Sequence, residues 1–280
     1  MESRGISLTV DMSRAEIEAA GRLGASGLDK ALVLNSFYLN VDATELSVGQ
    51  HLANDGFYEA WITSWMTRNI NSGDVCVDLG SNYGYFTRIM EILSGSKGKV
   101  HAIDANTALT NILRSSIEQF PLKNSADVKI HNYAISNEPG IVELLIPTKL
   151  LGGASIISDR NSLPSSIPVE HWDQSLSIES RRLDSLDLGK INFIKIDIEG
   201  AEAIAWEGIE AALDSESTII IEFGNYLPAD FIEYIYASYS VKQILTDGSE
   251  GKLSLKSLRK LDDWVMAILR PKKSLCKLRW

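Results

Sequence analysis

The residues best placed to do chemistry lie where apolar runs end in glycines or carboxylates. Val75-Cys76-Val77-Asp78-Leu79 runs into Gly80-Ser81-Asn82-Tyr83-Gly84, and a helical pattern starts at once with YFTRIMEIL. Glycines at such a turn take positive φ and let a ligand approach the backbone. The helix start behind them offers free N–H groups. Nicotinamide sites usually show G-x-G-x-x-G, whereas the spacing here is G-x-N-x-G. Asp78, two residues ahead of Gly80, would repel a pyrophosphate. It suits a ligand with a cationic amino-acid end, and S-adenosylmethionine is such a ligand. Asp104 closes the run KVHAID, 20 residues after Gly84. An acidic residue there accepts hydrogen bonds from ribose hydroxyls.

These residues need a scaffold of alternating strands and helices. Short apolar runs at 75–79, 99–104, 128–135, 191–197 and 218–223 alternate with helical patterns at 85–93, 107–120 and 200–213. That alternation implies βαβ units and a parallel sheet covered by helices. IVELLI at 141–146 follows a Glu138-Pro139-Gly140 turn and reads as a short antiparallel addition, and DDWVMAIL at 262–269 reads as a last strand. Residues 1–70 read as a mainly helical extension, with Ser13 and Glu16 as a capping box and Phe57, Trp61 and Trp65 as a packing stripe. Residues 71–280 form the main domain. Within it, 148–180 holds eight Ser, two Gly and two Pro and reads as a long irregular insertion and possible lid.

Composition narrows the classes. With 37 acidic against 27 basic residues the net charge is −10, so no basic face for nucleic acid is expected. No apolar run nears the ~18 residues that span a bilayer. The opening MESRGISLTVDMSRAEIEAA lacks a basic cluster and an apolar core, so a soluble, cytoplasmic protein without a signal peptide is expected. Cys76 and Cys276 are too few for a disulfide scaffold or a zinc cluster.

VDLGSNYGYFT, HAIDAN, NYAISNEPG, RRLDSL, FIKIDIEGAE and IIIEF together resemble the FkbM-type S-adenosylmethionine-dependent methyltransferases. The resemblance spans roughly 57–223, and Gly56-Phe57-Tyr58-Glu59 echoes that family's entry helix. It implies an α/β fold with a Rossmann-like seven-stranded sheet, mostly parallel with one antiparallel strand. It also implies methyl transfer to a hydroxyl of a sugar, a glycan, or a glycosylated or polyketide-like natural product. Ser81 stands where the family usually has Ala, and Asp104 and Asn106 where it often has Glu-Pro. To Asp78, Gly80, Gly84 and Asp104 the resemblance adds Ser81, Asn82, Tyr85, Phe86, Ala105, Ala134 and Asp197 as expected cofactor contacts.

Ligands in open α/β sheets sit beyond the carboxyl ends of the strands. Asp197, Glu199, Glu202 and Glu222 all fall there in the sequence pattern. Methyl transfer to a hydroxyl needs the acceptor held close and its proton removed. A carboxylate pair would do this directly, or would hold a divalent metal that lowers the hydroxyl pKa. Asp197, Glu199 and Glu222 are the expected catalytic acids, and Glu202 reads as structural. His171 is the histidine best placed to act as a base, with His51 second. His101 and His131 read as packing residues within strands. Two rivals are a nicotinamide oxidoreductase, disfavoured by the loop spacing, and a non-catalytic module that keeps the nucleotide fold.

Overall fold

The computed structural model describes residues 28–147, 150–156, 172, 174–261 and 263–272. The helix expected after Ser13 lies outside them. The described chain opens on a hairpin, β1 (Asp29–Val33) and β2 (Phe37–Val41), within the segment expected to be mainly helical. ALVL and FYLNV alternate around Leu34 and Asn35, both at positive φ. That is strand chemistry closed by a tight turn. Helices α1 (Val48–Asp55) and α2 (Ala60–Asn69) follow. Leu39, Val41, Leu52, Ile62 and Trp65 share one core with Cys76, Tyr83 and Ile89, so residues 29–69 pack directly on the sheet.

The main sheet comprises β3 (Val75–Leu79), β4 (Lys99–Asp104), β5 (Asp127–Asn132), β9 (Phe193–Ile196), β10 (Thr218–Gly224), β11 (Tyr239–Ile244), β12 (Glu250–Lys252) and β13 (Trp264–Pro271). Their order is β12-β11-β13-β10-β9-β3-β4-β5. The five strands β5, β4, β3, β9 and β10 are parallel, β13 runs antiparallel to both β10 and β11, and β12 is antiparallel to β11. Eight strands with two reversed thus replace the expected seven with one reversed. The extra strand is made by an Asp247-Gly248 turn, with Gly248 at φ 75°, a pair that favours hairpins.

Helices α3 (Tyr85–Ser94), α4 (Thr107–Gln119), α5 (Glu202–Ala212) and α6 (Ala229–Ser238) connect the strands. A second sheet of β6 (Ala134–Ile135), β8 (Gln174–Arg181) and β7 (Gly140–Ile146) stands apart. IVELLI therefore joins this small sheet rather than the large one. Residues 174–180, expected as irregular, form β8, whose alternating Ser-Leu-Ser-Ile puts Ile178 inward. No helix among the described residues is long and apolar enough to cross a membrane.

The core holds a buried ion pair on α3, Arg88 Nη1 to Glu91 Oε2 at 2.7 Å. Arg88 also donates through Nη2 to the Phe120 carbonyl. Removing one partner strands the other charge. Glu91→Gln is expected to destabilise the protein by about 3–5 kcal/mol, read from urea unfolding; a loss below about 1 kcal/mol would contradict a structural role for the pair.

Candidate functional site

The parallel strands end together, and Gly80 is where they lock. It sits at φ 83°, and a side chain there would place Cβ 1.7 Å from the Asp197 carbonyl oxygen. Asp197 N–H in turn donates to Leu79 O at 3.0 Å. Only glycine permits this contact, which brings the turn after β3 against the turn after β9. The Gly80 and Ser81 N–H groups both donate to Ile103 O, at 2.9 and 3.1 Å. Asn82 takes φ 51°, and Gly84, at φ 89°, begins α3.

Asp104 holds this turn from the neighbouring strand. Its Oδ2 accepts from Asn82 N–H and its Oδ1 from Asn106 N–H, both at 2.8 Å. Each oxygen keeps a further lone-pair direction for a diol. Burial pushes the carboxyl up to about 6, against the pull of those two N–H groups. Asp78 is fully buried, with Thr87 Oγ1 donating to Oδ2 at 2.6 Å. Asp78 Oδ1 and Ser81 Oγ have no partner among the described residues. An orphaned carboxylate oxygen, an orphaned hydroxyl and a helix start fit the amino-acid end of a cationic cofactor.

Four further expected contacts, Tyr85, Phe86, Ala105 and Ala134, have partners of their own within the protein. Tyr85 is buried, with its hydroxyl 2.9 Å from Thr63 Oγ1, and Phe86 lies in the same core. What these two present at the helix start is backbone. The Ala105 carbonyl accepts from Asn132 Nδ2 at 3.1 Å, and Ala134 is buried in β6. The segment 150–156 crosses this end of the sheet. Asn106 Nδ2 donates to Leu151 O at 3.2 Å, and Ser155 Oγ to Glu199 O at 2.8 Å. Gly152 lies so close to Asn82 that a Cβ would come within 2.3 Å of its Nδ2.

The carboxyl ends of β9 and β10 gather the acids. Lys195 donates to Asp197 Oδ2 at 2.7 Å; the lysine side chain is 2% exposed and that of Asp197 22%. The ammonium also lies 4.8 Å from the Phe86 ring centre. Burial alone would lower Lys195, but Asp197, Asp78 and Glu59 outweigh it and hold the ammonium charged. Burial likewise pushes Asp197 up, yet Lys195 and a hydrogen bond from Glu222 bring it below the ordinary carboxylate range. Glu199 and Glu222 are raised well above theirs by burial and by Asp197. Asp197 is thus held toward its ionised form while Glu199 and Glu222 are held toward the protonated form. Among the described residues no three His, Cys, Asp or Glu side chains group as metal ligands.

Two residues of the N-terminal segment, Tyr58 and Glu59, read in the sequence only as part of the entry-helix motif and given no site role there, join the site. Glu59 is 7% exposed, sits at φ 41°, and leaves Oε2 without a partner among the described residues. Burial and Asp197 push it up to about 8. Tyr58 is raised by burial and by Glu59, Asp197, Glu199 and Glu222. Lys195 was also missed, although a lysine amid INFIKID signals a buried cation in need of a partner. Glu202 braces the turn, with Oε1 accepting from Ile198 N–H at 3.0 Å.

The histidines divide as their positions suggest. His101 Nδ1 lies 3.0 Å from His131 Nε2 in a stacked pair, and burial lowers His101 to about 4. His51 is exposed and meets Asp55 at 3.1 Å. His171 lies outside the described residues.

The methyltransferase FkbM domain model matches residues 78–245, more than half of the chain. The chain belongs to the FkbM methyltransferase family. It is similar to an FkbM methyltransferase from Methylobacillus flagellatus KT, with 17% identity and a TM-score of 0.44 over 71% of this chain and 44% of that one. It is also similar to an O-methyltransferase from Bacillus cereus in complex with SAH, at 14% identity and TM-score 0.41 over 76% of this chain and 80% of that one. For the M. jannaschii tRNA m1G37 methyltransferase the values are 11%, 0.45, 90% and 57%. No protein of curated function matches. Tyr58 and Glu59 precede the residues matched to the FkbM domain.

Four buried acids set a pH dependence for this FkbM-family chain. Asp78 and Asp104 are pushed up to about 6, Glu202 to about 7 and Glu59 to about 8. Each binds its proton more tightly folded than unfolded. Above pH 6 the unfolded chain has already lost these protons while the folded chain still holds some, so stability falls as pH rises. The ligand-free protein is expected to melt at a lower temperature at pH 8 than at pH 6.5; a melting temperature that climbs over that interval would contradict the arrangement.

Proposed function

We propose that the protein is a cytoplasmic S-adenosylmethionine-dependent O-methyltransferase. Its acceptor is a hydroxyl of a sugar, a glycan, or a glycosylated or polyketide-like natural product. The observation that carries this reading is the contact at Gly80, which sets the cofactor turn directly against Asp197. S-adenosylmethionine, when bound, supplies an electrophilic methyl group on a sulfonium. Asp104 would hold the ribose diol, and Asp78 with the Gly80–Gly84 turn the amino-acid end. Asp197 is charged and open on one side, and is the group able to take the acceptor's proton as the oxygen–carbon bond forms. Lys195 and Glu222 fix its carboxylate without neutralising it. No divalent metal is needed in this scheme, and the net charge of −10 does not favour a nucleic-acid acceptor.

Melting curves with S-adenosylmethionine, S-adenosylhomocysteine and NAD test the cofactor. The first two are expected to raise the melting temperature and NAD to leave it unchanged; stabilisation by NAD alone would overturn the assignment. In calorimetry, Asp104→Ala is expected to weaken S-adenosylhomocysteine binding by about 1–3 kcal/mol through lost charge-assisted hydrogen bonds. Unchanged affinity in the folded variant would remove Asp104 from the site. Asp197→Asn is expected to reduce turnover by about a hundredfold or more, with a much smaller effect on cofactor affinity.

A further inference from the structure

Tyr226 follows β10, at the same end of the sheet as Asp197, and its ring is held from two directions. One side rests where Gly224 has no side chain: a Cβ on Gly224 would come within 2.4 Å of Tyr226 Cε1 and 2.6 Å of Cδ1. At the other end the hydroxyl donates to Glu222 Oε1 at 2.6 Å. Glu222, whose carboxyl burial and Asp197 raise well above its ordinary range, is hydrogen-bonded to Asp197. Despite these two restraints the residue remains 51% exposed. Exposure alone would mean little. A ring that is immobilised, open to solvent and two hydrogen bonds from the carboxylate assigned to proton removal has a defined place at the mouth of the cleft.

We infer that Tyr226 is an acceptor-specificity residue, an aromatic platform on which a pyranose ring lies so that one of its hydroxyls faces Asp197. The inference rests on the O-methylation reading and narrows its acceptor to a sugar. An aromatic ring carries partial negative charge on its faces, and the C–H groups on one side of a sugar ring are polarised the opposite way. The surrounding groups favour a polyol over a flat aromatic acceptor. Asp197, Glu199 and Glu222 offer carboxyl oxygens and protons, and Glu202 Oε2 is wholly buried with no partner among the described residues. An acceptor with several hydroxyls can match such groups, while an aromatic hydrocarbon surface would leave them desolvated and unpaired.

The platform can be tested before the natural acceptor is known. The probes are the methyl glycosides of glucose, galactose, mannose and rhamnose, with p-cresol as the flat comparator. Saturation-transfer NMR on the full chain, with aromatic protons irradiated, is run with and without S-adenosylhomocysteine. At least one glycoside should receive saturation on the hydrogens of one ring side. Tyr226→Phe should retain it, and Tyr226→Ala should reduce it at least fivefold. Gly224→Ala keeps the tyrosine but displaces its ring, and should also reduce transfer. Equal transfer in Tyr226→Ala, no transfer to any glycoside, or transfer to p-cresol alone would overturn the inference. Because transfer is read in both states, failure of S-adenosylhomocysteine to bind would count against the cofactor assignment, while the variants still decide the platform.

Discussion

The site depends on one buried cation. Lys195 sits in the middle of the sheet, on β9, where Asp197, Asp78 and Glu59 act on it and the Phe86 ring centre lies 4.8 Å from its ammonium. A lone ammonium there would be expelled or neutralised. Asp197, 2.7 Å away, helps hold it charged, and Lys195 in turn draws Asp197 below the ordinary carboxylate range while burial raises Glu199 and Glu222. Losing either partner would leave an unpaired buried charge, about 3–5 kcal/mol of destabilisation in such settings. The charge state of the whole cluster follows from this contact.

The same end of the sheet concentrates unusual backbone. Glu59, Asn82 and Glu199 are non-glycine residues at φ 41°, 51° and 54°, a conformation that has an energetic cost and persists where surrounding structure enforces it. Each is held by a specific contact or by burial. Asn82 is pinned by Asp104, Glu199 by Ser155 through its carbonyl, and Glu59 is held by burial. The stretch 150–156 connects two of these points, touching Asn106 and Asn82 at one end and Glu199 at the other. The turns after β3, β4 and β9 are therefore braced by one short strap of main chain.

Much of this was legible in the sequence where the signal is local. Gly80, Gly84 and the spacing to Asp104 declare a strand, a turn and a second strand, and FIKIDIEGAE marks the next crossover. The packing roles of His101, His131 and Cys76 follow from their places in strands. What failed to show depends on partners distant in sequence. Lys195 lies inside a quoted motif beside its partner Asp197, yet the burial and the further acids that make the pair matter, Asp78 and Glu59, come from far away along the chain. Tyr226 gains its meaning from the missing side chain of Gly224. The hairpin at 29–41 was hidden because apolar runs of that length suit a helix equally well. Strand β8 was hidden by serines that suggest a loop by composition while alternating with Leu176 and Ile178 in a strand's period.

The central claim is that Lys195 holds Asp197 toward its ionised form among carboxyls that burial raises, and carboxyl-carbon NMR on protein labelled at aspartate tests it most directly. With the Asp197 resonance assigned by its loss in Asp197→Asn, the account predicts a carboxylate shift at neutral pH that persists below the ordinary aspartate midpoint of about 3.9. In Lys195→Met the same resonance should titrate at higher pH. An Asp197 that takes up its proton above about 5 in the wild-type protein, or one whose titration is indifferent to Lys195, would contradict it.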